Sequence, residues 1–184
     1  MAYTICNPQA GWMPITATDA GVIPPNNFNT GSTTTIPNPP MYPGMIVTAQ
    51  DPTYGTGEFI LLKGVSSLTV GLMVTYSATT FVTTLSPNTA GIGNSFAWAM
   101  SANTDNTAWS WFQIGGLVVA KKTNVSWEPQ KAVYQSATTG RVMDTVASGK
   151  QVVGAFSANL TTVTATTSTI VLQVNRPHNT GVII

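Results

Sequence analysis

The second half of this chain is written twice, and that constrains its fold more than any other feature. Tyr76-Ser77-Ala78-Thr79-Thr80 returns as Tyr134-Gln135-Ser136-Ala137-Thr138-Thr139. Ala99-Met100-Ser101-Ala102-Asn103 returns as Ala155-Phe156-Ser157-Ala158-Asn159, and Phe112-Gln113-Ile114 returns as Leu172-Gln173-Val174. The offsets are about 58, 56 and 60 residues, in the same order along the chain. A fixed period of this size marks one supersecondary unit used more than once. The repeated phrases carry no catalytic residue types, so the unit reads as a building block.

Residue choice inside the repeat is that of strands. Gly57-Glu58-Phe59-Ile60-Leu61-Leu62-Lys63-Gly64 is an apolar run between glycines and predicts a strand buried on both faces. Leu72–Tyr76 and Phe81–Thr84 predict a hairpin turning at Ser77–Thr80. Trp109–Ile114 and Leu117–Ala120 read as two strands, separated by Gly115-Gly116. No stretch of ten residues has helical period; a short helical turn is expected at 144–149. The fold class is therefore all-β. We expect a compact barrel or sandwich of two related halves, about 66–116 and 124–177, within a β-domain over 46–177.

Residues 1–45 are of another kind. Eight of the twelve prolines fall there, and proline fixes φ and removes a backbone donor. The stretch also carries spaced apolar residues, too many for a solvated linker. It reads as an extended Pro-rich N-terminal arm that lies on a neighbouring surface. Trp12, Ile15, Val22, Ile23 and Phe28 are the candidate anchors. Residues 178–184 read as a C-terminal tail whose apolar end docks on something.

Charged residues are 7% of the chain and the formal net charge is +1. An ordinary soluble domain carries roughly 25%. Thr, Ser, Asn and Gln replace charge on this surface, and such a surface is cheap to bury against another chain. With seven Lys and Arg scattered along the sequence, phosphate neutralisation is weak, so no nucleic-acid partner is expected. No apolar run is long enough for a membrane span, and no leader-like segment opens the sequence, so no membrane partner is expected either. Cys6 is the single cysteine and reads as a small, roughly apolar side chain.

Chemistry is sparse. The one histidine, His178, follows a proline near the end, and the six acids are widely separated. Neither a nucleophile elbow nor a phosphate loop is present. Oxygen ligands gather around Asp105, with Asn103 and Asn106, but without calcium-loop spacing. We expect no catalytic residues, no metal and no cofactor. Trp109 and Trp111, two apart on one strand, share a face. They are candidates for a subunit contact, for core, or for stacking on sugar rings.

From about Tyr54 to Pro177 the chain resembles structural proteins of tailed bacteriophages, in particular capsid decoration (cement) proteins. The resemblance rests on Tyr54-Gly55-Thr56-Gly57-Glu58-Phe59-Ile60-Leu61-Leu62-Lys63-Gly64-Val65, on Val70-Gly71-Leu72-Met73-Val74-Thr75-Tyr76, and on Ala99–Asn103. It continues through Trp111-Phe112-Gln113-Ile114-Gly115-Gly116 and Val171-Leu172-Gln173-Val174-Asn175-Arg176-Pro177. It implies a non-enzymatic virion protein on the outer surface of the capsid, made in the host cytoplasm, with the major capsid protein as partner and a homotrimer as its own assembly. The arm departs from the shorter cement proteins. The alternative expectation is a receptor- or glycan-binding module of a head fibre or tail.

Overall fold

The computed structural model describes residues 1–8, 14–16, 42–103, 106 and 108–181. Among these the chain is all-β, with eleven strands and no helix. They are β1 (Thr4–Ile5), β2 (Ile46–Asp51), β3 (Gly55–Lys63), β4 (Met73–Tyr76), β5 (Thr83–Leu85) and β6 (Ser95–Ala99). The rest are β7 (Trp109–Lys121), β8 (Ala132–Gln135), β9 (Val142–Met143), β10 (Gln151–Ser157) and β11 (Thr169–Asn179). All pair antiparallel in one sheet, ordered β1-β2-β3-β7-β6-β11-β10-β8-β9, with β4 on β6 and β5 on β4.

The written repeat is a repeat of topology. β5-β4-β6-β7 pair in that order, and β9-β8-β10-β11 pair in the same order. The two units join where β7 pairs with β11, from Lys121↔Thr169 to Gly115↔Asn175. Smaller devices recur with them. Parallel bridges link Lys63↔Val82 and Lys122↔Val142; antiparallel bridges link Leu68↔Asn103 and Trp127↔Val163. Ser77 Oγ accepts the N–H of Thr79 and Thr80, and Ser136 Oγ accepts that of Thr138. A serine two residues before the turn threonine supplies the acceptor that a tight turn leaves wanting. That explains why Ser-Ala-Thr-Thr is kept in both copies.

A line of bulges bends the sheet. The β3–β7 register shifts at Glu58/Phe59, and the β10–β11 register shifts at Val153/Ala155. Gly116 (φ 87°) and Gly154 (φ 80°) lie on this line, beside Arg176 (φ 41°) on β11. Bulges raise local twist and let a long strand turn a corner. The pair Gly115-Gly116 is thus a bend inside one 13-residue strand, where the sequence predicted a break between two strands. Gly116 serves because its backbone takes positive φ while passing so close to β3 that no side chain fits.

Among the described residues, buried apolar side chains form three clusters. β3 is buried on both faces, as its run of apolar residues predicts. Phe59 and Leu61 point to a cluster with Trp109, Trp111, Val47, Ala49, Tyr3, Ile5 and Ile15; Ile60 and Leu62 point to another with Phe112, Ile114, Val74 and Ala97. The third cluster spans both units, from Phe96 and Trp98 to Trp127, Val152 and Leu172. Its shared ownership makes the two units one core.

Two boundaries differ from those read in the sequence. β11 continues through Pro177 to Asn179, so the tail read at 178–184 begins inside a strand; His178 pairs with Ser95 and Val153. Proline is tolerated there because the ladder shifts beside it. At the other end, β1 pairs with β2, and Tyr3, Ile5 and Ile15 belong to the chain's own core. This much of the arm, read as lying on a neighbour, wraps its own sheet. The helical turn expected at 144–149 is instead a tight turn closed by Lys150 N–H on the Ala147 carbonyl.

Candidate functional site

Trp12, Val22, Ile23 and Phe28 lie outside the described residues, as does Asp105. Ile15, Trp109 and Trp111 are described, and all three are buried in one cluster, Trp111 completely. This corrects their reading as contact residues: their apolar surface is already spent inside the chain. Trp109 and Trp111 do share a face, as their spacing predicts, but that face is closed by Tyr3, Ile5 and Ile15. It offers no platform to a sugar ring. Cys6, expected to be a small apolar filler, is exposed.

The N-terminal segment is held by polar anchors as well. Asp51 accepts the backbone N–H of Ala2, Thr53 (2.8 Å) and Tyr54 (3.0 Å). Burial would raise its pKa, but these three donors outweigh burial and hold the carboxyl below the ordinary 3.8. Tyr3 donates its hydroxyl to the Leu117 carbonyl at 2.8 Å, and the Gln113 amide donates to the Gly115 and Leu117 carbonyls at 2.9 Å each. The segment therefore rests on the bend of β7. A depressed carboxylate pKa contributes stability that is present above the unfolded value and is lost as pH falls through the folded one. The melting temperature is expected to drop steeply below about pH 4, and Asp51→Asn is expected to flatten that drop. An acid limb in melting curves that is identical for the two proteins would contradict this role.

A second polar centre joins the two units. Asn179 donates to Gln135 Oε1 at 3.2 Å and to the Gly149 carbonyl at 3.0 Å, and accepts from Gly181 N–H at 3.1 Å. Gln135 donates in turn to Ser86 Oγ and to the Pro87 carbonyl, both at 3.2 Å. Lys122 is fully buried, and its ammonium donates to the Val125 carbonyl at 2.7 Å and to the Thr123 carbonyl at 3.2 Å. Burial pushes its pKa down, and Asp144 partly offsets this.

Each of these groups closes a turn or ties a loop. Glu58 pairs with Arg176 at 3.3 Å and Glu128 with Lys131 at 2.9 Å, both on the surface. His178 is an exposed strand residue. Among the described residues no group of three His, Cys, Asp or Glu could hold a metal ion.

What the fold displays instead is surface. A cleft of about 530 Å³ runs over the bulge line, floored by Gly57, Gly115 and Gly116 and crossed by the Glu58–Arg176 pair. A cup of about 600 Å³ lies at the β4–β5 turn, lined by Thr75, Tyr76, Ser77, Thr79, Asn94 and Ser95. Beyond the bend, the outer side of β7, β11, β10 and β8 carries Leu117, Val119, Val171, Gln173, Phe156 and Ala132. Sequence reasoning missed this last face. Apolar residues at both parities of β7 and β11 resemble a strand buried twice over, and the described residues cover only one side.

No protein family, curated protein or solved structure matches this chain.

Proposed function

We propose that this chain is a structural virion protein, a decoration or cement protein that binds the outside of an assembled phage head and stabilises contacts between major capsid protein subunits. The observation that carries the reading is the neutral surface of a rigid, duplicated β-scaffold. Only 7% of residues are charged, and four of these are already paired with each other. Polar groups that an enzyme would aim into a cleft are consumed in turns and loop ties. A neutral hydroxyl and amide skin costs little to bury on a lattice. A protein that binds only the assembled lattice stabilises it by mass action, and many copies add. The resemblance to decoration proteins points the same way.

The arm is the proposed clamp, with Trp12, Val22, Ile23 and Phe28 as anchors. Because Tyr3, Ile5 and Ile15 are core, a test must spare them. Replacing residues 17–41 by a short Gly-Ser linker is expected to leave the melting temperature within a few degrees and to weaken binding to expanded capsids at least ten-fold. Undiminished capsid binding by that variant would sink the clamp.

The second reading, a glycan-binding module, has one observation in its favour. The cup at the β4–β5 turn is uncharged and offers hydroxyls, an amide and the Tyr76 ring, the groups that neutral sugars meet. Glycan-array retention that is lost in Tyr76→Ala, with folding intact, would favour it over the capsid reading.

A further inference from the structure

At one end of the second unit three connections meet. Thr123 and Asn124 follow β7, Thr138 and Arg141 belong to the β8–β9 turn, and Ser168 precedes β11. These residues line a pocket of about 470 Å³, a size that suits a small ligand. Backbone bonds between the connections fix its frame. Thr123 N–H donates to the Val142 carbonyl and Lys122 N–H to the Ser168 carbonyl, both at 3.0 Å, and Arg141 N–H donates to the Thr138 carbonyl at 3.1 Å. The two units differ here. In each, a valine after the turn makes a parallel bridge, Val82 to Lys63 and Val142 to Lys122. The residue just before that valine is Phe81 in the first unit and Arg141 in the second. Phe81 packs against two apolar clusters, and its ring fills the space where a Cβ on Gly44 would stand. The chain's own residues thus occupy this place in the first unit. In the second it is polar, charged and open.

We infer that this pocket binds the carboxylate of an acidic sugar, with Arg141 on the carboxylate and the neighbouring hydroxyls and amide on the ring. Arg141 is half-buried, and its Nη1 donates to the Lys122 carbonyl at 2.9 Å. That bond orients the guanidinium and leaves the rest of its donor fork free. Among the described residues no carboxylate pairs with it, whereas Arg176 has Glu58. A second positive charge stands behind the pocket, since the buried Lys122 ammonium donates to the carbonyl of Thr123. Asp144 acts on Lys122 but is not part of the lining. A planar fork matches a carboxylate with two parallel bonds. A phosphate cradle is built from backbone N–H groups as well, and those of Thr123, Thr138 and Arg141 are already spent inside the protein. What remains around the fork is neutral. Asn124, Thr138 and Ser168 are exposed, and their hydroxyls and amide both donate and accept, as sugar hydroxyls require. One cation within a ring of neutral polar groups therefore fits a singly charged, hydroxylated ligand. This site is separate from the uncharged cup at the β4–β5 turn and does not rest on the virion reading.

Titration of the intact, isotope-labelled chain with glucuronic acid, followed by amide NMR at neutral pH, decides it. Saturable shifts are expected at Thr123, Asn124, Thr138 and Ser168, with a dissociation constant of about 1 mM. Glucose lacks the carboxylate and acetate lacks the ring; each is expected to bind at least ten-fold more weakly, and inorganic phosphate likewise. Arg141→Lys keeps the charge and loses the fork, and is expected to weaken glucuronic acid at least ten-fold. Arg141 also holds the Lys122 carbonyl, so the double variant Thr138→Ala, Ser168→Ala serves if the lysine variant folds poorly. Both positions are exposed, and that variant is expected to keep its melting temperature and to weaken binding at least three-fold. The absence of saturable shifts up to about 20 mM would overturn the inference. So would acetate, glucose or phosphate binding as tightly as glucuronic acid, or binding indifferent to these variants.

Discussion

Replacing Gly116 by alanine is expected to be the most damaging single-methyl change in this chain. A Cβ built at Gly116 would stand 2.4 Å from the Thr56 carbonyl oxygen and 2.9 Å from the Gly57 Cα. Both are backbone atoms of β3, the strand that shares two of the three clusters, so neither can move without shifting core. Positive φ adds its own cost of about 1–2 kcal/mol. Together the clash and the strain are expected to remove on the order of 4 kcal/mol, which lowers the melting temperature by roughly 10 °C or more in a chain of this size. Gly55→Ala separates the two terms. Gly55 has φ 70° with nothing within 4 Å of a built Cβ, so it is expected to show the strain alone, about 1 kcal/mol. Urea denaturation of the two variants measures the difference. Equal losses would mean that the close approach of β7 to β3 does not hold the bend.

Asn179→Ala is expected to be nearly as costly, for a different reason. Truncation leaves Gln135 Oε1 and the Gly181 N–H without the partner they have now, while the Gly149 carbonyl keeps only the Gly91 N–H. Each buried orphan costs about 1–3 kcal/mol, and a loss of about 3 kcal/mol overall is expected. Asn179→Asp is expected to be worse than alanine, because a carboxylate would face the Gly149 carbonyl and the Gln135 amide oxygen. Since the network joins loop 86–94 of the first unit to β8 and β11 of the second, Gln135→Ala and Asn179→Ala are expected to couple by about 1 kcal/mol or more in a double-mutant cycle. Strict additivity of the two losses would show that the units are not tied here.

The duplication was legible because it sits where the fold needs particular side chains. Ser77 and Ser136 close the same turn, and Ala99 and Ala155 lie on equivalent strands. The double burial of β3 was legible from its unbroken apolar run. Three things were not. Gly115-Gly116 reads as a strand break, since a glycine pair looks the same whether a strand ends or bends; only the partners β3 and β11 distinguish the cases. Trp109 and Trp111 read equally as core or contact, because the residues that cover them, Tyr3, Ile5 and Ile15, are distant in sequence and lie among prolines. The Pro177 boundary failed because a proline ends a regular strand, and β11 is irregular at Arg176. As for the site, the scarcity of charge was plain from composition. Which apolar residues remain outside was not, because alternation cannot distinguish a face covered by the chain from one left open.

The central claim, that this is a protein of the phage head surface, is tested most directly by copy number. Particles purified from the source would be quantified by mass spectrometry against the major capsid protein. The account predicts a ratio near one copy per capsid subunit, or a fixed simple fraction of it, retained through washing. Absence from the particles, or a dozen or fewer copies in each, would contradict a lattice-wide decoration protein.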